Sequence, residues 1–352
     1  MRALVRLLGR DRACLDRATH EFEQQYVRSG IHQNDAKTKL EHVIFGLAST
    51  SDSWTAGPEQ GVPLGCCPVC TPPRQSGGQA GDAVTHAATI RFAARTYFRC
   101  PDTGLLFALP FHPRRAAYEQ AYFTAEYRAQ YGRTYLEDFA NIARAGRERL
   151  KHIRALVRPP CMLLDVGCAY GPFLSVASET GYRVTGVDLS SDAVAYVRSA
   201  LGIQAVQGDF TAMDLDSLRE LSPRCITMWY VVEHFPRVGE ALRRANALLP
   251  LGGVLALSTP NGSGLSARRC RRAFLDSSPP DHYSVWSPAA ARRVLARFGF
   301  AALRVRITGH HPERSRLLEP LPRAAGRAAS RLLRLGDTFE VYAVKVSAPG
   351  EG

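Results

Sequence analysis

The sequence predicts an α/β protein: a doubly wound, mostly parallel seven-stranded sheet, preceded by a small cysteine ribbon and a helical cap. Three observations carry that prediction. Beyond Pro159-Pro160, short apolar runs alternate with helical stretches, as in parallel sheets covered on both faces. One of those runs, 163–166, ends in a loop of small residues that opens a helix. Upstream, Cys66, Cys67, Cys70 and Cys100 gather in a segment rich in Gly and Pro.

In chain order, residues 1–65 read as an N-terminal extension and linker, with short helices over 4–22 and 36–47 and a Gly-, Pro- and Ser-rich stretch over 48–65. Residues 66–112 form the ribbon, with one strand over 89–99 followed by Cys100-Pro-Asp-Thr-Gly-Leu-Leu-Phe107. Residues 113–158 have helical periodicity and an apolar face through Leu136, Phe139, Ala143, Leu150 and Ile153, which makes them the cap. Residues 159–348 are the α/β domain. Its strands are expected at 161–166, 183–188, 205–208, 225–231, 254–259, 302–308 and 338–346. Helices fill 173–180, 193–200, 239–249 and 288–298, and Gly181, Gly202, Gly252 and Gly299 follow helix ends where a left-handed cap is needed.

Composition narrows the function classes. At 45% hydrophobic and 22% charged, the 352 residues can bury a sizeable core, and no run is long and apolar enough to cross a bilayer. The opening residues have too short an apolar run for a signal peptide and too many acids for a transit peptide, so the expected location is the cytoplasm. An odd count of nine Cys fits reduced thiols better than a disulfide framework. The net charge of +13 comes almost wholly from Arg, since Lys occurs only at 37, 39, 151 and 345. Between residues 263 and 334, 15 Arg face four acids. Arg323, Arg327, Arg331 and Arg334 are expected on one face of a helix over 321–335, with Leu332 and Leu333 docking on the other. Such a stripe is usually just solvated; otherwise it suits an acidic partner, such as a phosphorylated or lipid-linked sugar, or a peripheral membrane contact.

The chemistry is expected at the carboxyl edge of the sheet. Asp165-Val-Gly167-Cys-Ala169-Tyr-Gly171 lets backbone approach a ligand closely, but Ala169 stands where a dinucleotide site has Gly for the pyrophosphate. A ligand with a charged amine and no pyrophosphate fits better. Asp188, ending the second strand, is placed to accept hydrogen bonds from two ribose hydroxyls. Asp209 and Phe210, at the next strand end, offer an acceptor and an apolar face to an adenine.

These segments, with Trp229-Tyr-Val-Val-Glu233-His234-Phe, Leu249-Pro-Leu-Gly252-Gly253 and Ser258-Thr-Pro-Asn261, resemble class I S-adenosylmethionine-dependent methyltransferases over about residues 110–346. The likeness is to the branch of ubiquinone-type and sugar or natural-product enzymes. It implies a Rossmann-like methyltransferase fold, with Asp165 and Gly167 toward the methionine part of S-adenosylmethionine, Asp188 toward the ribose, and Asp209 with Phe210 toward the adenine; Ala169 and Gly171 belong to the same cofactor loop, where Ala169 for Gly departs from the pattern and leaves less room. It also implies a small-molecule, sugar or lipid-linked acceptor, with oxygen favoured over nitrogen or carbon. His234, after the fourth strand, and His282, in Pro279-Pro-Asp-His282-Tyr-Ser, are candidate bases for a hydroxyl acceptor.

The ribbon resembles the zinc-binding module that precedes some methyltransferase domains. There a second Cys pair answers the first, whereas here Thr103 takes the fourth position. Cys67, Cys70 and Cys100 are then three ligands where structural zinc takes four, and the expectation is a ribbon that has lost its metal. Three other functions stand as alternatives. An NAD-linked oxidoreductase would show a tighter glycine loop. A nucleic-acid methyltransferase would fit the basic C-terminus, but its amino-methylation and Pro-Cys motifs are missing. A non-catalytic binding protein on this fold would not need acids at 165, 188 and 209.

Overall fold

The computed structural model describes residues 64–70, 85–92, 95–110, 123, 127–128, 132–311 and 322–349. The helices expected over 4–22 and 36–47 lie outside the described residues, as does nearly all of the linker.

All seven predicted α/β strands form. They are β5 (Met162–Val166), β6 (Arg183–Asp188), β7 (Gln204–Gln207), β8 (Cys225–Trp229), β9 (Val254–Pro260), β11 (Phe300–Thr308) and β12 (Thr338–Lys345). Their order across the sheet is β11-β12-β9-β8-β5-β6-β7. From β9 through β7 every pairing is parallel, while β12 runs antiparallel to both of its neighbours. Alternation along the strands assigns the two faces. Leu164, Val166, Ile226, Met228, Leu255 and Leu257 enter one core; Leu163, Cys225, Val254 and Ala256 enter the other.

Helices cover both faces. The first core receives α5 (Val238–Leu248) and α8 (Pro288–Arg297) through Ala241, Leu242, Ala245, Ala291, Val294 and Leu295. The second receives α1 (Phe139–Arg154) and α2 (Pro172–Glu179). Helix α1 buries Ala143, Gly146, Leu150 and Ile153, a stripe of helical period. At Gly146 the absent side chain matters, because a Cβ there would sit 3.0 Å from Val176 and 3.2 Å from Phe173. Between β6 and β8 run α3 (Ser191–Leu201) and the short α4 (Leu215–Glu220). Gly202 caps α3 with a φ of 63° and takes the left-handed turn expected of it.

Three expectations need correction. The ribbon strand read over 89–99 is two strands, β2 (Thr85–Arg91) and β3 (Arg95–Arg99), and the Phe92 amide bonds the Arg95 carbonyl between them. With β1 (Leu64–Cys66), β4 (Leu106–Pro110) and β10 (Ser284–Val285) they form a five-stranded antiparallel sheet in the order β1-β2-β3-β4-β10. No Gly or Pro marks the turn, so the sequence runs the two strands together. Strand β8 stops at Trp229, two residues early, because Tyr230 takes a φ of 58°. The basic helix, α9 (Arg323–Leu332), ends before Arg334, which has a φ of 55°. Its buried positions are Gly326 and Ser330, while Leu332 and Leu333 are exposed. Small residues, not leucines, make the close approach, and exposed Arg327 and Arg331 are what the described side chains show of the stripe.

Candidate functional site

Parallel strands bring β5, β6, β7 and β8 to one edge with their carboxyl ends together, where open α/β sheets bind ligands. The loop from β5 to α2 is held there by backbone bonds: the Gly167 amide reaches the Val187 carbonyl at 2.7 Å, and Gly171 reaches Cys168 at 2.9 Å. Three residues in five have positive φ, namely Gly167 (72°), Ala169 (47°) and Gly171 (77°). Ala169 therefore adopts a conformation that suits Gly, and it costs on the order of 1 kcal/mol in an L-residue. Gly167 is required sterically as well, because a Cβ there would overlap the Val231 side chain. The turn after β8 thus lies directly beside the glycine loop.

Asp188 is the hub of this loop. Its Oδ2 accepts from the Ala169 amide at 2.7 Å and its Oδ1 from the Ser190 amide at 2.9 Å, tying the glycine loop to the start of α3. Burial pushes its carboxyl above the ordinary value, against the pull of those amides. Asp165 is also buried and accepts from the Thr227 hydroxyl at 2.5 Å. Burial pushes it up to about 7, although Thr227 and the Arg149 guanidinium oppose the shift. Arg149 is itself buried, 3.1 Å from Glu340 and with its guanidinium 4.3 Å from the centre of the Trp229 ring. Asp209 is exposed and closes a local turn with the amide and hydroxyl of Thr211 at 2.8 and 2.7 Å. Phe210 turns into the main core beside Phe235.

A second group lies past β8. The 3-10 turn Val232–His234 carries Glu233 and His234. His234 Nδ1 lies 3.0 Å from Asp281 Oδ2, which makes Nε2 the lone-pair nitrogen of the neutral ring. The ring of His282 stands edge-on to that of His234, with centres 4.6 Å apart. Burial alone would lower His234; hydrogen bonding to Asp281 and the nearby Glu233 charge hold it above its ordinary value. His282 is instead pushed down to about 3 by burial and by the His234 charge, which leaves a weakly basic ring. Glu233 is 1% exposed, neither of its oxygens meets a donor among the described residues, and burial pushes it up to about 7.

Asp281 and His282 arrive from a loop that the five-stranded sheet clamps. The Tyr283 amide bonds the Glu233 carbonyl at 2.8 Å, and the Ala108 amide of β4 bonds the Tyr283 carbonyl at 2.8 Å. Arg95 of β3, 8% exposed, donates to the carbonyls of Pro279 and Ser278 at 2.8 and 2.9 Å. Tyr97 donates to the Leu275 carbonyl at 3.0 Å. The sequence singles out neither Asp281 nor Arg95, and gives Glu233 only as part of the 229–235 motif. Adjacency to His282 marks Asp281, and nothing near Arg95 marks it.

Among the described residues, two donor clusters each bring three ligand atoms within 4.8 Å of one another: Cys67, Cys70 and Cys100 in the small sheet, and Glu233, His234 and His282 here. No helix among the described residues is long and apolar enough to cross a membrane.

Comparison with known proteins follows the same lines. Residues 126–305, just over half of the chain, match the family described as a methyltransferase domain. A ubiquinone biosynthesis O-methyltransferase of Xanthomonas campestris pv. campestris (strain B100) is 32% identical over 117 residues, 32% of this chain and 49% of that protein. The protein of the same name from Coxiella burnetii (strain Dugway 5J108-111) is 30% identical over 101 residues, 28% of this chain and 43% of its own. The chain thus spans about half or less of the length of these curated relatives. A solved structure of a SAM-dependent methyltransferase from Archaeoglobus fulgidus aligns with a TM-score of 0.43 at 18% identity, covering 58% of this chain and 94% of that one.

Proposed function

The chain belongs to the methyltransferase-domain family as an S-adenosylmethionine-dependent enzyme, and from that premise we propose that it methylates a hydroxyl group of a small-molecule, sugar or lipid-linked acceptor, with His234 as general base. The observation that carries this reading is the His234–Asp281 pair at the carboxyl edge of the sheet, on the turn that touches the glycine loop. The relatives named as ubiquinone biosynthesis O-methyltransferases support oxygen as the acceptor atom.

Methyl transfer is a displacement at a carbon that the bound cofactor already activates, so the protein's work is alignment and proton removal. The 167–171 loop and Asp188 would hold the cofactor, with Asp188 as acceptor for its ribose. Asp165 would serve its positively charged methionine portion, and cationic charge there would favour the ionised carboxylate. Asp209 would border the adenine, with Phe210 backing that strand end from the core. His234 Nε2 takes the acceptor proton as the oxygen attacks, while Asp281 keeps the proton on Nδ1 and steadies the imidazolium that results. His282, with its depressed basicity, packs and orients His234 rather than receiving the proton.

The test uses labelled S-adenosylmethionine with separate panels of phenols and diols, nucleotide and lipid-linked sugars, and RNA. Label on a hydroxyl acceptor, lost when His234→Ala replaces the base, supports the proposal. Label on RNA alone would overturn it. Activity should rise as pH climbs through a value above the ordinary histidine one. Asp281→Asn should move that limb to lower pH, since the facing groups Glu233 and His282 stay in place. The geometry also admits a divalent cation on Glu233, His234 and His282. Loss of activity on chelation, restored by zinc or manganese, would assign the cluster to that cation.

A further inference from the structure

The cysteine cluster is nearer to a complete metal site than its sequence spacing suggests. A tetrahedral zinc with Zn–S of about 2.3 Å and Zn–O of about 2.1 Å has edges of about 3.8 Å between sulfurs and about 3.6 Å between sulfur and oxygen. Cys70 Sγ lies 3.5 Å from Cys100 Sγ and 3.7 Å from Asp102 Oδ2. Both separations match such edges, and the first is far beyond the roughly 2.0 Å of a disulfide. Cys67 Sγ completes the triad within 4.8 Å.

The surroundings are those of two facing knuckles. The Cys70 amide points at Cys67 Sγ at 3.4 Å, a donor suited to a thiolate. Opposite, the Gly104 amide bonds the Cys100 carbonyl at 2.8 Å, and the Cys100 amide bonds the Leu105 carbonyl at 2.9 Å. Thr103, which stands where the sequence resemblance leads one to expect the fourth thiolate, is buried, and its hydroxyl accepts from the Leu105 amide at 3.3 Å. It serves the turn. Asp102, next to it, is exposed; its carboxylate meets Cys70 but lies outside the 4.8 Å mutual spacing of the three sulfurs, so a rotation of its side chain is what closes the tetrahedron.

We propose that Cys67, Cys70, Cys100 and Asp102 together bind one zinc ion, the carboxylate of Asp102 replacing the fourth cysteine. The site is separate from the methyl-transfer chemistry. Its knuckle packs into the main core with Val238, Leu242 and Phe298, and the Pro68 carbonyl accepts from the Gly239 amide at 3.1 Å. Bound metal therefore fastens the five-stranded sheet onto α5.

The full chain, purified reduced, should carry about one zinc per molecule by elemental analysis. After metal removal, cobalt titration should saturate at one equivalent with tetrahedral bands and thiolate-to-cobalt charge transfer, the latter absent from any histidine-carboxylate site. Asp102→Ala should weaken cobalt binding at least tenfold, and Asp102→Cys should restore it. Cys270→Ser, at an exposed thiol outside the cluster, should change nothing. Cys67→Ser should weaken cobalt binding and lower the charge-transfer intensity per bound cobalt, since two thiolates remain; if it does not fold, the exposed Asp102 variants still decide the matter, with circular dichroism confirming their fold. Three results would overturn the proposal: an Asp102→Ala titration identical to wild type, reduced wild-type protein that takes up neither metal, or a Cys70–Cys100 disulfide in the protein as isolated.

Discussion

The two sides of the sheet's carboxyl edge are built by different means. On the β5-β6-β7 side the site is local and made mostly of backbone: the five-residue loop 167–171 with three positive φ angles, pinned by Asp188 one strand away. On the β8 side it is made of side chains from distant segments. His234 meets Asp281 across 47 residues, and Arg95, more than 180 residues upstream of its partners, holds the loop that delivers Asp281. The first construction suits a fixed ligand recognised by shape. The second can be altered by changing a loop or its clamp without disturbing the first, as a family that keeps one cofactor while varying its acceptors would require.

That difference should show in the sizes and kinds of mutational effects. The largest expected loss is from Asp188→Ala, which removes the acceptor for the Ala169 and Ser190 amides and, on the proposed reading, for the ribose. Charged hydrogen bonds contribute about 1.5 to 3 kcal/mol each, so cofactor affinity should fall by a factor of a hundred or more in calorimetry. His234→Ala should come next, lowering kcat by about 10²–10⁴ with the affinity for S-adenosylhomocysteine unchanged. A matching loss of that affinity would mean that the two sides are one unit. Arg95→Ala should be milder, since it loosens the loop without removing a reacting group. It should reduce kcat by roughly tenfold and blunt the pH limb of the His234–Asp281 pair, because that pair no longer holds one geometry.

Asp165 sharpens the comparison through pH. A carboxyl whose folded pKa lies near 7, well above the unfolded value of about 4, adds stability that is complete below pH 4 and lost as pH rises through 7. The melting temperature of the ligand-free protein should fall across that window, and Asp165→Asn should flatten the fall. A cationic ligand needs the ionised carboxylate, so cofactor binding should tighten over the same rise in pH. Ala169→Gly is the smallest effect: relief of the left-handed backbone, partly offset by the methyl packing lost beside Phe123 and Ala193, should leave stability within about 0.5 kcal/mol of wild type or slightly above it.

The same contrast explains what the sequence made legible. The seven strands and the glycine loop could be read because hydrophobic period and small residues act over a few positions, and Asp188 fell at a predictable strand end. The partner of His234 could not be read, because nothing near residue 234 signals residue 281. The small sheet was legible only as a cysteine pattern. Its fifth strand comes from 284–285, and its hairpin turns without Gly or Pro. Residue spacing pointed to Thr103 as the lost ligand, and only the fold brings Asp102 to Cys70. The basic helix failed for a different reason: helical spacing placed Arg327 and Arg331 in solvent but carried the helix past its end to Arg334, and close packing selected Gly326 and Ser330 for the buried face and left the leucines in solvent.

Calorimetry of S-adenosylhomocysteine against three proteins tests the independence of the two sides most directly, without knowledge of the acceptor. Wild type and His234→Ala should bind with the same affinity, and Asp188→Ala should show little or no heat. No binding to wild type, or an equal loss in both variants, would contradict it.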